Sequence, residues 1–312
     1  MNGVLTGLPE LSCYTANLVS YLEPELPQAS RRLAEAVRLA VRVDEPGGHL
    51  AFSHHHRIDL TSTSGGLAYR SAAQWPDALA ALRAELALSG RVLAVGNTRH
   101  VPWSPAYGKS TVAHWVLLEA APGRPDSWRI TDRFAALLPE GEQLPYSGVV
   151  DDDGLRELLT PLGDLQRQYV LRDIHALGVT SALPEQTHYR WLVRDPLSVG
   201  RPQAGRWLAD QLEVLEFLAE RLGSDSAALA AHADDLWAAA RHQRHRLELL
   251  AYRGQLPEPV AHAAMASWAE LPRSLRFAVT SAERGRPRPG VVAKAFADLI
   301  STMTPALREE HS

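Results

Sequence analysis

The sequence that decides the fold is residues 113–119, Ala-His-Trp-Val-Leu-Leu-Glu, an apolar run with His114 near its start. A second short run follows at 128–131, Trp-Arg-Ile-Thr, and Asp132 comes directly after it. Turn-forming residues at 122–125, Pro-Gly-Arg-Pro, separate the two runs. Short apolar segments bounded by such turns are typical of buried strands. We therefore predict two adjacent antiparallel strands that bring Asp132 beside His114.

Around these strands, the first 195 residues mix short helical patterns with strand-like runs. Apolar residues that recur at helical spacing predict helices, whereas alternating or β-branched residues predict strands. The predicted helices are 28–43, 75–88 and one beginning at 151–159, and the predicted strands are 50–63, 91–95 and 187–195. This mixture predicts an α+β domain with an antiparallel sheet.

From about Leu197 onward the pattern is almost purely helical. One apolar stripe at helical spacing comprises Leu229, Leu236, Ala240, Leu247 and Leu250. Charged residues occupy the other faces, as in a helix that packs on one side only. We place the boundary near Asp195, so that residues 1–195 form the α+β domain and residues 196–312 an all-helical domain.

The composition argues against several classes of protein. Hydrophobic residues make up 46% of the chain and charged residues 22%, which is usual for a globular protein. The net charge of −4 lacks the basic excess of a nucleic-acid binder and offers no attraction to an anionic membrane. The sequence has neither a basic leader before an apolar segment nor an apolar run of about 18 residues. We therefore expect a cytoplasmic protein with no nucleic-acid or membrane partner.

Cys13 is the only cysteine, so the chain can form neither an internal disulfide nor a metal site with two or more thiolates. It opens a helical run at 14–22, in which Leu18 and Leu22 share one face. At a helix N-terminus, the dipole and the free amides stabilise a thiolate and can hold an oxyanion. The alternative is a buried structural thiol, because cysteine is often buried.

His114 and Asp132 give Cys13 a possible catalytic context. A carboxylate beside an imidazole fixes its tautomer and stabilises the imidazolium, and the imidazole activates the thiol. Taken alone, His114 would be a histidine satisfied at a strand end, but the ordered set is more specific than any member. We predict that Cys13 is the nucleophile, that His114 is the base and that Asp132 orients it.

This ordered set resembles the papain-like superfamily, whose members carry a nucleophilic Cys on an N-terminal helix, a His on a later strand and an Asp or Asn on the next. The run from His114 to the following Asp132 is similar to that of bacteriocin-processing cysteine peptidases and their non-proteolytic relatives. The family that the chain most resembles is the butirosin-biosynthesis acyltransferase family. Residues 97–114 resemble that family's segment from a strand through a Pro/Tyr loop to its His. The resemblance implies a papain-like cysteine-enzyme domain followed by a helical domain.

Two positions near Cys13 depart from these families. Papain-like peptidases usually place a Gln before the nucleophile as an oxyanion donor, and residues 7–12 contain none. The butirosin-type family often has a His where this chain has Ser12. Asn17, one helical turn after Cys13, could face the same side and is our candidate donor. The alternative for Asn17 is a surface or capping residue.

The loop at 97–110 leads directly to His114, so we predict that it lines the mouth of the site. Asn97 begins the loop, and Trp103 and Tyr107 offer flat apolar walls for a substrate. Alternatively, these aromatic rings pack against the loop itself. The predicted substrate-binding residues are therefore Asn17, Asn97, Trp103 and Tyr107.

Three consecutive histidines at 54–56, with His49 and His100 elsewhere, raise the question of a zinc site. Consecutive strand residues point to opposite faces, so at most two of the three share a side. The sequence also lacks a His-Glu-x-x-His motif. We predict no metal site and no cofactor.

The leading hypothesis is thiol-dependent acyl transfer, in which Cys13 takes an acyl or aminoacyl group from a thioester. The resemblance implies a donor on the phosphopantetheine arm of an acyl or peptidyl carrier protein, or a small-molecule thioester. It also implies an amine acceptor in secondary metabolism. Water as the acceptor would make the protein a thioesterase, and an internal nucleophile would make it a cyclase.

Three alternatives remain open. The chain could be a cysteine peptidase or amidase, although the missing Gln and the helical second domain count against that. It could be a catalytically inactive papain-like module that binds a carrier protein or a peptide. It could also be an assembly protein whose helical half does the work. The sequence patterns do not distinguish a monomer from an oligomer.

Overall fold

The computed structural model describes residues 10–61, 65–198 and 203–310. Its strands, numbered in chain order, are β1 (Val37–Arg42), β2 (Ala51–His55), β3 (Gly66–Ala72), β4 (Arg91–Asn97), β5 (Ala113–Ala120), β6 (Ser127–Asp132), β7 (Ala136–Leu138), β8 (Gly141–Gln143), β9 (Tyr146–Asp151), β10 (Tyr189–Asp195) and β11 (Trp207–Leu208). Its helices are α1 (Cys13–Leu22), α2 (Ala29–Ala36), α3 (Trp75–Ser89), α4 (Asp152–Leu158), α5 (Arg167–His175), α6 (Gln211–Ser224), α7 (Ser226–Tyr252), α8 (Glu258–Glu283) and α9 (Pro289–Glu310).

The chain divides into two compact units. The first contains the chain up to Ser30 and the segment that begins at Arg57, and the second contains Arg31–His56 and the chain from Gln203 onward. The boundary predicted near Asp195 left residues 31–56 in the first domain, whereas the structure assigns them to the second unit. The reason is packing, because the core around α6–α9 includes four apolar side chains of this segment, namely Leu39, Val41, Leu50 and Phe52.

A six-stranded antiparallel sheet organises the first unit, in the order β3-β10-β4-β5-β6-β9. β5 and β6 pair antiparallel with Leu117 opposite Thr131, which confirms the two adjacent strands predicted from the sequence. The strand predicted at 187–195 is confirmed as β10, which lies between β3 and β4. The helix predicted at 75–88 is confirmed as α3, and Gly90 ends it with a φ of 73°.

Both faces of the central strand β5 are buried. Trp115 and Leu117 pack on the face covered by α1. Val116 and Leu118 pack on the opposite face with side chains of α3 and α4. Successive strand residues point to opposite faces, so a continuous apolar run is what a strand covered on both sides requires. This double burial fixes β5, and with it the position of His114 near its start.

The second unit joins a three-stranded antiparallel sheet, in the order β11-β1-β2, to the helices α6–α9. The prediction of an all-helical domain is therefore wrong. The helix predicted at 28–43 is also wrong beyond Ala36, because α2 ends there and β1 follows. Val37, Leu39 and Val41 alternate along β1. The packing of this face against helices stabilises a strand, although the spacing of the same residues also fits a helix. None of the helices in the described part of the chain is long and apolar enough to cross a membrane.

Candidate active site

Cys13 is the first residue of α1, where the sequence predicted a helix to begin. Ser12 caps this helix: its backbone is extended, and its hydroxyl accepts a hydrogen bond from Thr15 N at 3.3 Å. The first amides of a helix have no acceptor within it, and the helix dipole makes this end positive. Cys13 is half-buried and lies where both effects favour negative charge.

His114 and Asp132 lie just beyond the last residues paired between β5 and β6, Leu117 and Thr131. His114 Nε2 and Asp132 Oδ2 are 2.7 Å apart, and the two residues are only 4% and 0% exposed. The structure thus brings these two predicted site residues together. Cys13 lies near enough to His114 to contribute to the raised pKa of its imidazole. Because Asp132 holds Nε2, Nδ1 is the ring nitrogen left for the sulfur.

Two acidic groups raise the pKa of His114 to about 10. Burial alone lowers this pKa, since a buried site disfavours the charged imidazolium. The charge and the hydrogen bond of Asp132 outweigh burial, and Cys13 acts in the same direction. At neutral pH the ring is therefore an imidazolium held between a carboxylate and a sulfur.

The carboxylate of Asp132 accepts hydrogen bonds on both oxygens. The donors are His114 Nε2, Trp103 Nε1 at 2.8 Å and Gln143 Nε2 at 3.0 Å on Oδ2, and Phe134 N at 2.9 Å and Asn17 Nδ2 at 3.1 Å on Oδ1. Burial raises the pKa of Asp132, but the charge of His114 and these hydrogen bonds hold it below its usual value. Asp132 is therefore ionised, and its plane is fixed by donors on every side.

Asn17 belongs to the site but does not lie where a substrate-binding oxyanion donor would lie. It is fully buried, and its Nδ2 donates to the carbonyls of Cys13 at 3.0 Å and Trp115 at 2.8 Å, as well as to Asp132. Its Oδ1 accepts from Arg133 N at 2.9 Å. Since both polar ends are occupied by the protein, Asn17 ties α1 to β5 and β6, which corrects its predicted role.

The loop at 97–110 contributes to the site mainly through Trp103. The Trp103 ring stacks on Tyr146 of β9 with centroids 4.0 Å apart, while its N–H holds Asp132. Asn97 is buried and accepts a hydrogen bond from Arg99 N at 3.1 Å, so it caps a short helical turn. Tyr107 is 48% exposed and remains accessible to a ligand.

Gln143 is a site residue that sequence reasoning missed. It ends β8, is 1% exposed, and places Nε2 3.0 Å from Asp132 Oδ2 and 3.5 Å from His114 Nε2. Its neighbour Glu142 is exposed. A strand of three residues offers too short an alternation to show from sequence which of the two side chains points inward.

The consecutive histidines considered for zinc belong to the second unit. His54 and His55 lie on β2, and the ring of His54 stacks on that of His242 with centroids 5.3 Å apart. Within residues 10–61, 65–198 and 203–310, no three His, Cys, Asp or Glu side chains are arranged to hold a metal ion. His54 and His55 pack against the ring of His242.

Sequence comparisons do not assign the chain to a known family. No family model matches the chain, and no curated protein matches its sequence. The site is thus defined by its own contacts: a cysteine at a helix start, an imidazolium beside it, and a buried carboxylate held by five donors.

Proposed function

We propose that this protein is a cysteine-dependent acyl-transfer enzyme and that its first unit carries a papain-like active site. Cys13 is the nucleophile, His114 carries protons, and Asp132 orients His114. The observation that carries the proposal is the buried 2.7 Å contact of His114 with Asp132, made by the same imidazole whose pKa Cys13 helps to raise. A thiol is activated for acyl transfer by contacts of this kind.

In the first half-reaction, the Cys13 sulfur attacks the carbonyl carbon of an acyl thioester and forms a new carbon–sulfur bond. The carbonyl electrons move to oxygen and give a tetrahedral oxyanion. When this intermediate collapses, the bond to the donor's sulfur breaks, and His114 gives its proton to the departing thiolate. The products are an acyl-enzyme and a free thiol, with His114 left neutral.

In the second half-reaction, an acceptor amine or water attacks the acyl-enzyme while His114 takes the acceptor's proton. The bond between the acyl carbon and Cys13 then breaks, which restores the thiolate beside an imidazolium. Throughout both halves, Asp132 keeps its charge. Its bond to Nε2 fixes the ring, so in this mechanism Nδ1 serves as acid first and as base later.

The backbone amide of Cys13 is the donor that we propose for the oxyanion. Cys13 begins α1, so its N–H has no acceptor within the helix. Asn17 is unsuited to this role because its amide donates to Cys13 O, Trp115 O and Asp132. The dipole of α1 adds positive potential at the same end.

The resemblance to butirosin-type acyltransferases supports a thioester donor on the phosphopantetheine arm of a carrier protein, with an amine acceptor in secondary metabolism. A thioester suits a cysteine nucleophile, because the acyl group moves from one sulfur to another without loss of activation. The accessible Tyr107 on the loop at 97–110 is a candidate contact for the acyl chain.

Intact-mass spectrometry tests this proposal directly. The protein is incubated with a panel of acyl groups, each supplied as a small thioester and on a carrier protein. We expect a mass increase equal to the acyl group on the wild-type protein and no increase on Cys13→Ala. An adduct that persists on Cys13→Ala, or the absence of any adduct across the panel, would refute acyl transfer through Cys13.

Alkylation by iodoacetamide separates a catalytic site from an inactive module. We expect Cys13 to be alkylated quickly at neutral pH in the wild-type protein and more slowly in His114→Gln, because the imidazolium stabilises the reacting thiolate. His188→Gln is the control, since His188 is a partly exposed histidine of the same unit whose contacts are with Ser71 and Glu185. Equal alkylation rates in all three proteins would contradict an activated Cys13.

A further inference from the structure

A groove of about 440 Å³ lies on β6 and β9 of the first unit. Side chains that line it include Glu119, Arg129, Thr131, Arg133 and Ser147. Arg129 and Thr131 alternate along β6 with Trp128 and Ile130, which pack with α3 and α4. Successive strand residues point to opposite faces, so the two groove residues stand on the face that carries α1.

Two arginine side chains of the groove have no direct polar partner in the described part of the chain. Arg129 is half-buried and Arg133 exposed, and neither guanidinium has an ion pair or hydrogen bond with any residue in the described ranges. Glu119 is directly opposite Arg129 in the strand register and offsets part of this positive charge, while its carboxylate accepts a hydrogen bond from Thr131 Oγ1 at 3.3 Å instead of pairing with a guanidinium. Asp132 also borders the groove, but the imidazolium of His114 balances its charge.

We propose that this groove binds a small organic anion, whose carboxylate or phosphate group lies between Arg129 and Arg133. A guanidinium presents its N–H groups as a planar fork that matches both of these oxyanions. The volume of the groove falls within the range of small-molecule sites, so it admits more than an inorganic ion. The hydroxyls of Thr131 and Ser147 supply further polar contacts for the body of the ligand.

The groove begins close to the candidate active site. Arg133 N donates to Asn17 Oδ1 at 2.9 Å, and Asn17 Nδ2 donates to the carbonyl of Cys13 at 3.0 Å. A single amide side chain therefore links the end of the groove to the turn of α1 that carries Cys13. Anion binding does not require the thiol of Cys13, so the inference goes beyond the proposed reaction and can be tested without it.

NMR titration of the arginine side chains tests the proposal on the full-length Cys13→Ala protein. Acetate and inorganic phosphate are the anionic probes, and acetamide is the neutral match of acetate. We expect saturable shifts of the Arg129 and Arg133 Nε–H signals with at least one anion and not with acetamide. Stronger binding of acetate indicates a carboxylate ligand, and stronger binding of phosphate indicates a phosphate ligand.

Three variants test how charge in the groove changes the affinity for the anion. Arg129→Gln is expected to weaken binding of the preferred anion about tenfold, because it removes charge-assisted hydrogen bonds. Glu119→Gln is expected to tighten binding, because it removes the negative charge of the groove. Arg124→Gln, which removes an exposed arginine from the 122–125 turn, is expected to leave binding of the anion unchanged. Shifts that do not saturate, equal effects of the two arginine variants, or weaker binding by Glu119→Gln would overturn the proposal.

Discussion

At the scale of single residues, the carboxylate of Asp132 controls the charge state of the candidate site. Its charge and hydrogen bond are the main reasons why the pKa of buried His114 rises to about 10 instead of falling. In return, the charge of His114 helps to hold the pKa of Asp132 below its usual value. The two groups are therefore charged together across the neutral range, which keeps a proton on the imidazole for a leaving group.

Replacing Asp132 tests this coupling. In Asp132→Asn, burial dominates, so we expect the pKa of His114 to fall and the ring to be neutral at pH 7. The rate of acyl-enzyme formation should drop about 10³–10⁴-fold, as for other triads that lose their orienting carboxylate. NMR titration of the histidine rings and single-turnover mass spectrometry measure the two effects. A His114 that stays charged at pH 7 in the variant would contradict the assignment.

Trp103→Phe removes one donor from Asp132 while keeping an aromatic ring that can stack on Tyr146. Loss of a hydrogen bond to a buried charge should lower the free energy of unfolding by about 1.5–3 kcal/mol at pH 7. Because folding lowers the pKa of Asp132, its ionised form stabilises the folded state at pH values above the pKa of Asp in the unfolded chain. This stabilisation is lost as the pH falls through the lower pKa of the folded state. We therefore expect the difference in unfolding free energy between Trp103→Phe and wild type to narrow as the pH falls below the pKa of the unfolded Asp.

Urea unfolding at several pH values measures this prediction, and Trp75→Phe is its control. Trp75 also lies against a tyrosine, Tyr189, with ring centroids 5.2 Å apart, but donates to no carboxylate. A loss in Trp75→Phe as large as that in Trp103→Phe, with the same dependence on pH, would mean that ring packing and not the hydrogen bond is responsible.

The sequence predicted the elements that carry Cys13, His114 and Asp132, because their order along the chain matches their places on a helix and two paired strands. It could not assign the donors around Asp132. Trp103 and Asn17 were expected to face a substrate, yet their polar atoms point into the protein. Which way a side chain turns depends on partners distant in sequence, as for Asn17 and Asp132, which are 115 positions apart.

At the scale of elements, the site depends on the close approach of β4 to β5. Gly96 lies opposite His114 in the register of these strands. A Cβ at Gly96 would meet the carbonyl oxygens of His114 at 3.1 Å and Leu158 at 3.4 Å. β4 is thus held between the backbone of β5 and the end of α4, where a side chain would fit only if one of these neighbours moved slightly.

Gly96→Ala should therefore displace the start of β5. We expect a loss of about 1–3 kcal/mol in unfolding free energy from overpacking, together with slower alkylation and acylation of Cys13. Gly223→Ala is the control, since a Cβ there meets nothing and alanine favours a helix. Chemical denaturation and alkylation rates measure the two outcomes. Gly96→Ala protein with wild-type stability and reactivity would show that β5 tolerates the methyl group.

Strands that are buried on both faces could be predicted from the sequence, whereas strands whose packing partners lie far along the chain could not. β5 could be recognised because a strand covered on both faces is apolar throughout. β1 could not, since its residues also fit a helical spacing and the helices that cover it begin after residue 203. For the same reason, local patterns did not show that residues 31–56 belong with the helical part of the chain.

At the scale of the whole molecule, the two units carry buried histidines with opposite charge preferences. In the first unit, acidic neighbours raise the pKa of His114 to about 10. In the second, burial lowers the pKa of His242 well below its usual value, and the charges of His54, His55 and His245 lower it further. The backbone carbonyl of Ala238 opposes these effects, but too weakly to reverse them.

These shifts predict that His114 and His242 contribute to the pH dependence of stability in opposite directions. The raised pKa of His114 gives the first unit stability that is complete below about pH 6.5 and is lost as the pH rises through about 10. The lowered pKa of His242 acts in the other direction. Below about pH 6.5 the unfolded chain binds a proton that the folded second unit excludes, so its stability decreases as the pH falls.

Hydrogen exchange followed peptide by peptide from pH 5 to pH 10 measures the two units separately. At pH 5 we expect α7 to open more readily than at pH 7, because it carries His242. His242→Leu removes the titrating group and should abolish that part of the acid effect, at most about 2 kcal/mol at pH 5. His262→Leu, at an exposed histidine of α8, is the control and should leave the acid effect intact. Equal acid sensitivity in all three proteins would exclude the buried histidines as its source.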